Sequence, residues 1–278
     1  MRKKLPLILS MPHSGLITPV ELKPYTVFPL EWIKLDSDEG SREIYLPLRD
    51  RVLGFVHIDI ARCFVDMNRA PDDRSAGGIV KTHACWGKKL YVETPPENVF
   101  QAVIDKFYHP YHRRLSELTR IRGARLGIDC HTMLAKAPPD APDPEGSQRP
   151  MICLSDRKGT SAPPEWTAAL ARALAASFPE FEVQVNSPFS GGYITRFHCQ
   201  ELPFVQVEMS RTAELSNEEK SRRFEQALRS FCRETFPEYA EQEGQTWDEM
   251  PVIKCLAALS NRLMRWLRRV FRFGNHRG

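Results

Sequence analysis

The sequence predicts an α/β protein with a mixed, largely parallel central sheet, and three observations predict it. Short apolar runs of strand length alternate with longer segments whose apolar residues recur every three or four positions, the pattern of strands interleaved with helices. Three of the apolar runs break into polar residues: Leu7–Met11 into Pro12–His13–Ser14–Gly15, Leu126–Ile128 into Asp129–Cys130–His131–Thr132, and Phe204–Val207 into Glu208–Met209–Ser210–Arg211. Finally, 278 residues with 42% hydrophobic and 27% charged content are enough to bury a sizeable core and ordinary for a globular chain. Ligands in open α/β sheets bind outside the carboxyl ends of strands. The three polar endings are therefore expected to converge on one hydrolytic metal site.

Taken in order, residues 5–11 read as the first buried strand; their apolar run is too short for a signal peptide and no small-residue cleavage site follows. Ile44, Leu48 and Val52 recur at helical spacing and predict a helix from Asp38 to about Leu53, with Asp36, Asp38 and Glu39 suited to its N-terminus. Residues 54–60 alternate as a strand does, and Arg62–Arg69 is expected to continue it as far as Pro71. Val99, Val103, Phe107, Tyr111, Leu115 and Leu118 predict a long helix over 97–121, kinked or broken at Pro110. The central strand, 125–131, follows. Residues 137–150 are rich in proline and acid, too long for a plain connector, and read as a lid or a surface excursion. A short strand at 151–154 and an Ala-rich helix at 163–176, with proline in its first turn, come next. Strands are expected at 181–185, at 192–197 after Gly191–Gly192, and at 203–210. In the last, Val205, Val207 and Met209 share one face and Gln206, Glu208 and Ser210 the other. Ser216–Asn–Glu–Glu219 is a capping signature for a helix to about Phe236. There is no internal repeat and no run of membrane-spanning length.

Seven scattered cysteines without CxxC spacing predict reduced thiols in a cytoplasmic setting and argue against a zinc knuckle. The net charge of +4 is uneven. From Val252 onward there are seven Lys or Arg and no acid, which leaves 32 basic against 35 acidic residues in the rest. Nucleic-acid binding by the body has no support. The chain divides into a catalytic domain, 1–251, and a tail, 252–278, whose apolar and arginine-rich stripes predict a basic amphipathic helix. Such a helix suits a membrane surface, a docked position on the body, or a second subunit.

The chemistry rests on His13 and His131 at strand ends, with Asp36, Asp38 and Asp129 as carboxylates. Two imidazoles and one carboxylate make a three-ligand zinc set with one position left open. Asp129 has a second role available, holding a ligand histidine from behind. His109 and His112 read as polar-face residues of their helix.

Pro12–His13–Ser14–Gly15, Asp36–Ser37–Asp38, Arg62…Asp66–Met67–Asn68–Arg69, Pro110–Tyr111–His112, Asp129–Cys130–His131–Thr132, Gly191–Gly192–Tyr193–Ile194–Thr195–Arg196 and Gln206–Val207–Glu208 together resemble the N-formylglutamate amidohydrolase family, over about residues 5–235. That family is similar, distantly, to the zinc carboxypeptidases. The resemblance implies a three-layer αβα, zinc-exopeptidase-like core and one Zn2+ held by His13, His131 and an acid of the Asp36–Asp38 pair, Asp38 being preferred. It implies Glu208 as general base and acid, and Asn68–Arg69 as the grip on a substrate carboxylate. Arg62 is expected to support the oxyanion or a second carboxylate. Gly191 and Gly192 would allow close approach to the ligand, and Arg196 would reach an acidic side chain.

Two segments depart from the family pattern: Arg196–Glu201 where a Gly-rich loop is usual, and Met209–Glu214 where an aromatic-rich stretch is usual. Both fall where specificity is set. The expectation is a zinc-dependent hydrolase of a small acidic N-acyl amino acid, N-formyl-L-glutamate first. A related deacylase, a carboxypeptidase-like peptidase and a silent metal-binding or membrane-associated module are the alternatives.

Overall fold

The computed structural model describes residues 3–239 apart from Cys85 and Asp140. The expected tail helix, 252–278, and the domain boundary at 251 lie outside the described residues. The body is a six-stranded sheet in the order β2–β1–β3–β6–β4–β5, formed by β1 (Leu5–Met11), β2 (Val52–His57), β3 (Leu126–Met133), β4 (Ile152–Ser155), β5 (Val183–Val185) and β6 (Phe204–Ser210). β2, β1, β3 and β6 run parallel, whereas β4 runs antiparallel to β6 and parallel to β5. The sheet is thus mixed and mostly parallel, as the alternating sequence pattern predicts.

Every residue of β1, β3, β4 and β6 is buried, so helices cover both faces, and the near-continuous apolar sequence of these strands reflects that. α3 (Glu97–Val103) and α4 (His109–Thr119) belong to one layer; α4 packs on β1 and β2. α5 (Pro164–Ser177) and α7 (Asn217–Thr235) pack on each other, and α7 on β1. Leu170 and Leu174 of α5 and Phe224 and Leu228 of α7 are fully buried; truncating one such leucine to alanine costs about 2–5 kcal/mol. The capping signature works as expected, the Glu219 N–H donating to Ser216 Oγ at 3.2 Å.

Between α3 and α4 the chain makes one wide π-type turn, Ile104–Tyr108, directly ahead of Pro110. Proline has no N–H and collides with the preceding turn, and the widened turn absorbs the collision without ending the helical layer.

Three expectations are corrected. The helix expected over 38–53 is much shorter: α2 covers Ser41–Tyr45 and a 3-10 turn Leu46–Leu48 follows, because Pro47 cannot continue an α-helix. The acids before it close a helix that the periodicity missed, α1 (Leu30–Asp36). Arg62–Arg69 is not a strand. It coils through turns, with Asp66 Oδ1 accepting the Asn68 N–H at 2.9 Å, a local side-chain bond that competes with extended pairing. Residues 192–197 form no strand either: Gly192 caps a short helix, α6 (Tyr193–His198), that holds the rest. Its opening is satisfied from outside: Gly192 N–H donates to Gln206 Oε1 at 2.7 Å and Ile194 N–H to Asn68 Oδ1 at 2.8 Å. Orphan donors at a helix start must find acceptors, and here both come from residues remote in sequence.

Candidate active site

The parallel register builds a polar row across the centre of the sheet. Ser10 pairs with Asp129 and Asp129 with Gln206; two residues further along, His131 pairs with Glu208. Paired residues on parallel strands share a face, so the carboxyl ends of β1, β3 and β6 deliver hydroxyl, carboxylates, amide and imidazole to one side. The Ser10 hydroxyl, 2.9 Å from Asp129 Oδ1 and from the Tyr111 hydroxyl, ties the row to α4.

His13 follows β1 and reaches into the same space. His13 Nδ1 lies 3.1 Å from His131 Nδ1, and Asp38 Oδ2 lies 3.0 Å from His131 Nδ1 and 3.6 Å from His13 Nδ1. One ligand atom from each of the three residues falls within 4.8 Å of the others, and all three residues are buried. Asp36 is turned away, its Oδ2 lying 3.7 Å from Lys81 Nζ.

The far sides of the two rings decide what the near sides can do. His13 Nε2 is 2.7 Å from Asp66 Oδ1, and His131 Nε2 is 2.9 Å from Asp129 Oδ2. Facing a carboxylate, each Nε2 carries the proton and donates it. In the neutral rings both Nδ1 atoms are then bare lone pairs, aimed at each other and at an anionic oxygen. Three acceptors converge with no donor among them, and only a cation or an extra proton relieves that arrangement. This buried cluster can hold a metal ion, with Asp66 and Asp129 fixing the ring tautomers from behind.

The electrostatics agree. Burial works against the Asp38 carboxylate, but His13 and His131 hold its pKa well below the ordinary value. Burial likewise opposes ionised Asp66, and Lys81, His13 and Arg62 hold it well below. For His131 burial favours the neutral ring, yet Asp129 and Asp38 raise its pKa well above that of free histidine; a proton takes the cation's part when no metal is bound. Around the cluster, Arg62 reaches Asp38 at 3.3 Å and Asp66 at 3.2 Å, Lys81 reaches Asp66 at 3.1 Å, and Arg211 comes within 3.7 Å of Asp38.

Glu208 is buried beside these ligands, with Gln206 Nε2 donating to its Oε1 at 2.9 Å. Burial raises its pKa to about 7, with His131 opposing the shift and Asp38 adding to it. A carboxyl poised near neutrality is suited to taking and returning a proton.

A cavity of about 450 Å3 opens over the cluster and touches His13, Asp38, Arg62, Arg69, His131 and Glu208. Arg62 Nε is buried there with no hydrogen-bond partner among the described residues. Arg69 is half-exposed, donating to the carbonyls of Asn68 and Gly77, each at 3.0 Å. Asn68 Oδ1 is committed to α6, and Nδ2 lies 3.4 Å from His131 Nε2. Gly191 has φ +108, and a Cβ on Gly192 would fall 2.3 Å from the Asn68 amide nitrogen; these glycines let the chain run close to the cavity wall. Arg196 is exposed, lies outside this cavity and lines an adjoining cleft.

Sequence reasoning gave no role to Asp66, Gln206, Lys81 or Arg211. Asp66 and Gln206 stood inside the family motifs, and the cost of burying a carboxylate or amide without a partner was the available signal. His112 is not on a polar face: it is buried, with Nε2 3.0 Å from the Met67 carbonyl. Among the described residues no helix is long and apolar enough to cross a membrane.

Comparison with known proteins agrees with this architecture. The family model for N-formylglutamate amidohydrolase matches residues 5–213. N-formylglutamate deformylase of Pseudomonas putida is 25% identical over 230 residues, which span 78% of this chain and 84% of that protein. The Pseudomonas aeruginosa deformylase is 26% identical over 231 residues, spanning 75% and 82%. The crystal structure of N-formylglutamate amidohydrolase from Ralstonia eutropha JMP134 superposes with a TM-score of 0.67 at 20% identity, covering 86% of this chain and 94% of that one, and so shares the fold. The chain belongs to the N-formylglutamate amidohydrolase family and is, by that membership, an amidohydrolase.

Proposed function

We propose that the protein is a zinc-dependent deformylase of a small acidic N-acyl amino acid, with N-formyl-L-glutamate, converted to L-glutamate and formate, as the first substrate to test. One observation carries the metal: the bare Nδ1 atoms of His13 and His131 converge with Asp38 Oδ2. Two imidazoles and a carboxylate suit Zn2+ in a catalytic site with an open position. The bound ion would supply Lewis acidity, activating water near neutral pH and polarising the acyl oxygen.

The remaining steps belong to the chain's own groups. Glu208 takes a proton from the attacking water and returns it to the departing amine nitrogen as the C–N bond breaks, leaving formate and a free amino acid. The half-buried Arg62 guanidinium, whose Nε has no hydrogen-bond partner among the described residues, meets the negative charge that develops on the acyl oxygen. Arg69 presents a planar fork to the α-carboxylate, Asn68 adds its Nδ2 donor, and Gly191 and Gly192 leave room for the substrate backbone. Arg196 faces the acidic side chain from the adjoining cleft.

A second reading is a deacylase of longer acyl groups. The cavity of about 450 Å3 includes Leu35, Leu134 and Phe189 in its otherwise polar border, apolar surface that a longer acyl chain would use. A panel of N-formyl, N-acetyl and longer N-acyl amino acids, assayed with zinc, separates the two. Preference for N-formyl-L-glutamate supports the first reading, preference for a longer acyl chain the second, and no metal-dependent turnover of any compound contradicts both. Residues 1–251 are proposed to suffice for hydrolysis, with 252–278 serving a membrane-surface or subunit contact. Truncation after Pro251 should leave kcat/KM unchanged, and loss of activity in a folded truncation would contradict that.

A further inference from the structure

The cleft beside the central cavity, about 280 Å3, shares Asn68, Arg69, Gly191 and Gly192 with it and is also lined by Arg157 and Arg196. Three guanidinium groups therefore border one small space. The arginines of the central cavity are largely spent: Arg62 on Asp38 and Asp66, Arg211 on Asp38 and two backbone carbonyls. Arg157 and Arg196 differ, because neither has a carboxylate partner among the described residues. Arg196 rests only against the Tyr193 ring, at 5.4 Å. The acid lining the cleft, Asp73, has Oδ1 taken by the Ser75 N–H at 3.0 Å. Arg69 also has Asp66 at 3.9 Å, but three guanidinium groups against the one carboxylate in the lining leave an excess of positive charge, which an incoming anion relieves.

Arg157 is also placed by an unusual backbone. Arg157 and Lys158 have φ +55 and +57, and Gly159 follows at +80. Non-glycine residues avoid this region and occupy it where the surroundings over-determine them, often at functional sites. Here Asn186, itself at φ +56, holds the loop: its Oδ1 accepts from the N–H of Asp156 at 3.1 Å, and its Nδ2 donates to Asp156 Oδ1 at 2.7 Å. Asp156 Oδ1 in turn takes the Gly159 N–H at 2.9 Å. The Arg157 stem lies so close to Gly191 that a Cβ there would meet Arg157 Cγ at 3.0 Å. The φ of +108 at Gly191 favours glycine, and the missing side chain leaves room for the arginine stem.

We propose that this cleft is the subsite for the substrate's second negative charge, with Arg157 and Arg196 selecting an acidic side chain while Arg69 holds the α-carboxylate. The proposal rests on the reading of the central cavity as an N-acyl amino acid site. It assigns Arg157, outside every motif of the family resemblance, as a specificity residue. A carboxylate bound by guanidinium forks and its isosteric amide differ in charge alone.

The test compares N-formyl-L-glutamate with N-formyl-L-glutamine on the full, zinc-loaded chain and on Arg157→Ala and Arg196→Ala. The unmodified chain should favour the acid at least tenfold in kcat/KM. Arg157→Ala should raise KM for the acid about tenfold or more, with kcat and both constants for the amide moving less than twofold, and Arg196→Ala should act in the same direction. Equal losses on both substrates, or no loss on either, would overturn the proposal. If the unmodified chain hydrolyses neither compound, the deformylase reading fails and calorimetry with glutarate decides the subsite. Binding that weakens at least tenfold in Arg157→Ala supports it; no binding, or equal binding, overturns it.

Discussion

Among the described residues two pairs of histidines are buried, and they are built in opposite ways. In the first pair, His13 and His131, the outer nitrogens face Asp66 and Asp129 and the inner ones meet at 3.1 Å, beside Asp38 Oδ2. In the second, His112 and His198 stack at 5.2 Å with rings 3° from parallel, and every nitrogen has a matched partner. His112 Nε2–H donates to the Met67 carbonyl at 3.0 Å, its Nδ1 lies 2.9 Å from His198 Nε2, and His198 Nδ1 lies 3.0 Å from Glu201 Oε2. Burial and the neighbouring His198 push the His112 pKa down to about 3, so that ring stays neutral. The second pair is closed on itself, Nε2 of one ring meeting Nδ1 of the other, whereas the first turns both inner nitrogens towards the Asp38 carboxylate. Proximity of imidazoles alone does not favour a cation between them; a shared third acceptor does.

This contrast can be broken at several points. The largest effect is expected from Glu208→Gln, which keeps the shape of the site but removes the proposed proton carrier: kcat should fall by about 100- to 10,000-fold while the metal content stays that of the unmodified chain. Kinetics beside elemental analysis measure both. Next, Asp66→Asn should loosen the His13 ring and lower metal affinity about 10- to 100-fold, read by competition with a zinc chelator. The pH profile comes third. Glu208 must be ionised to accept a proton, and its pKa is raised to about 7, so kcat/KM should fall about tenfold per pH unit below that value and level off above it. A limb near the ordinary carboxylate pKa would show that another group governs. The smallest effect on catalysis belongs to the closed pair. His112→Asn should leave metal content intact and cost about 1–3 kcal/mol of stability through unmet buried hydrogen bonds, measured by chemical denaturation.

Much of the fold was legible because strand burial and helix periodicity are local signals. β1, β3, β6, α5 and α7 lie where the apolar patterns put them. What sequence periodicity could not show depends on distant partners. α6 reads locally as a strand after a glycine pair, yet its first N–H groups are satisfied by Gln206 and Asn68. The Arg62–Arg69 stretch looks extended until Asp66 and Asn68 are seen to turn inward onto the two ring systems. The motif residues His13, Asp38 and His131 could be named in advance, because polar groups at the ends of buried strands stand out. Their tautomers could not, since those depend on Asp66 and Asp129 standing behind the rings.

The most direct test of the account is to strip the purified chain with a chelator, then titrate zinc back into the unmodified protein and into His131→Ala while following hydrolysis of N-formyl-L-glutamate. The account predicts that activity disappears on stripping and returns in proportion to zinc, saturating at about one ion per chain, and that His131→Ala neither binds the ion at that site nor recovers. Full hydrolysis by the stripped chain, or recovery in His131→Ala equal to that of the unmodified protein, would contradict it.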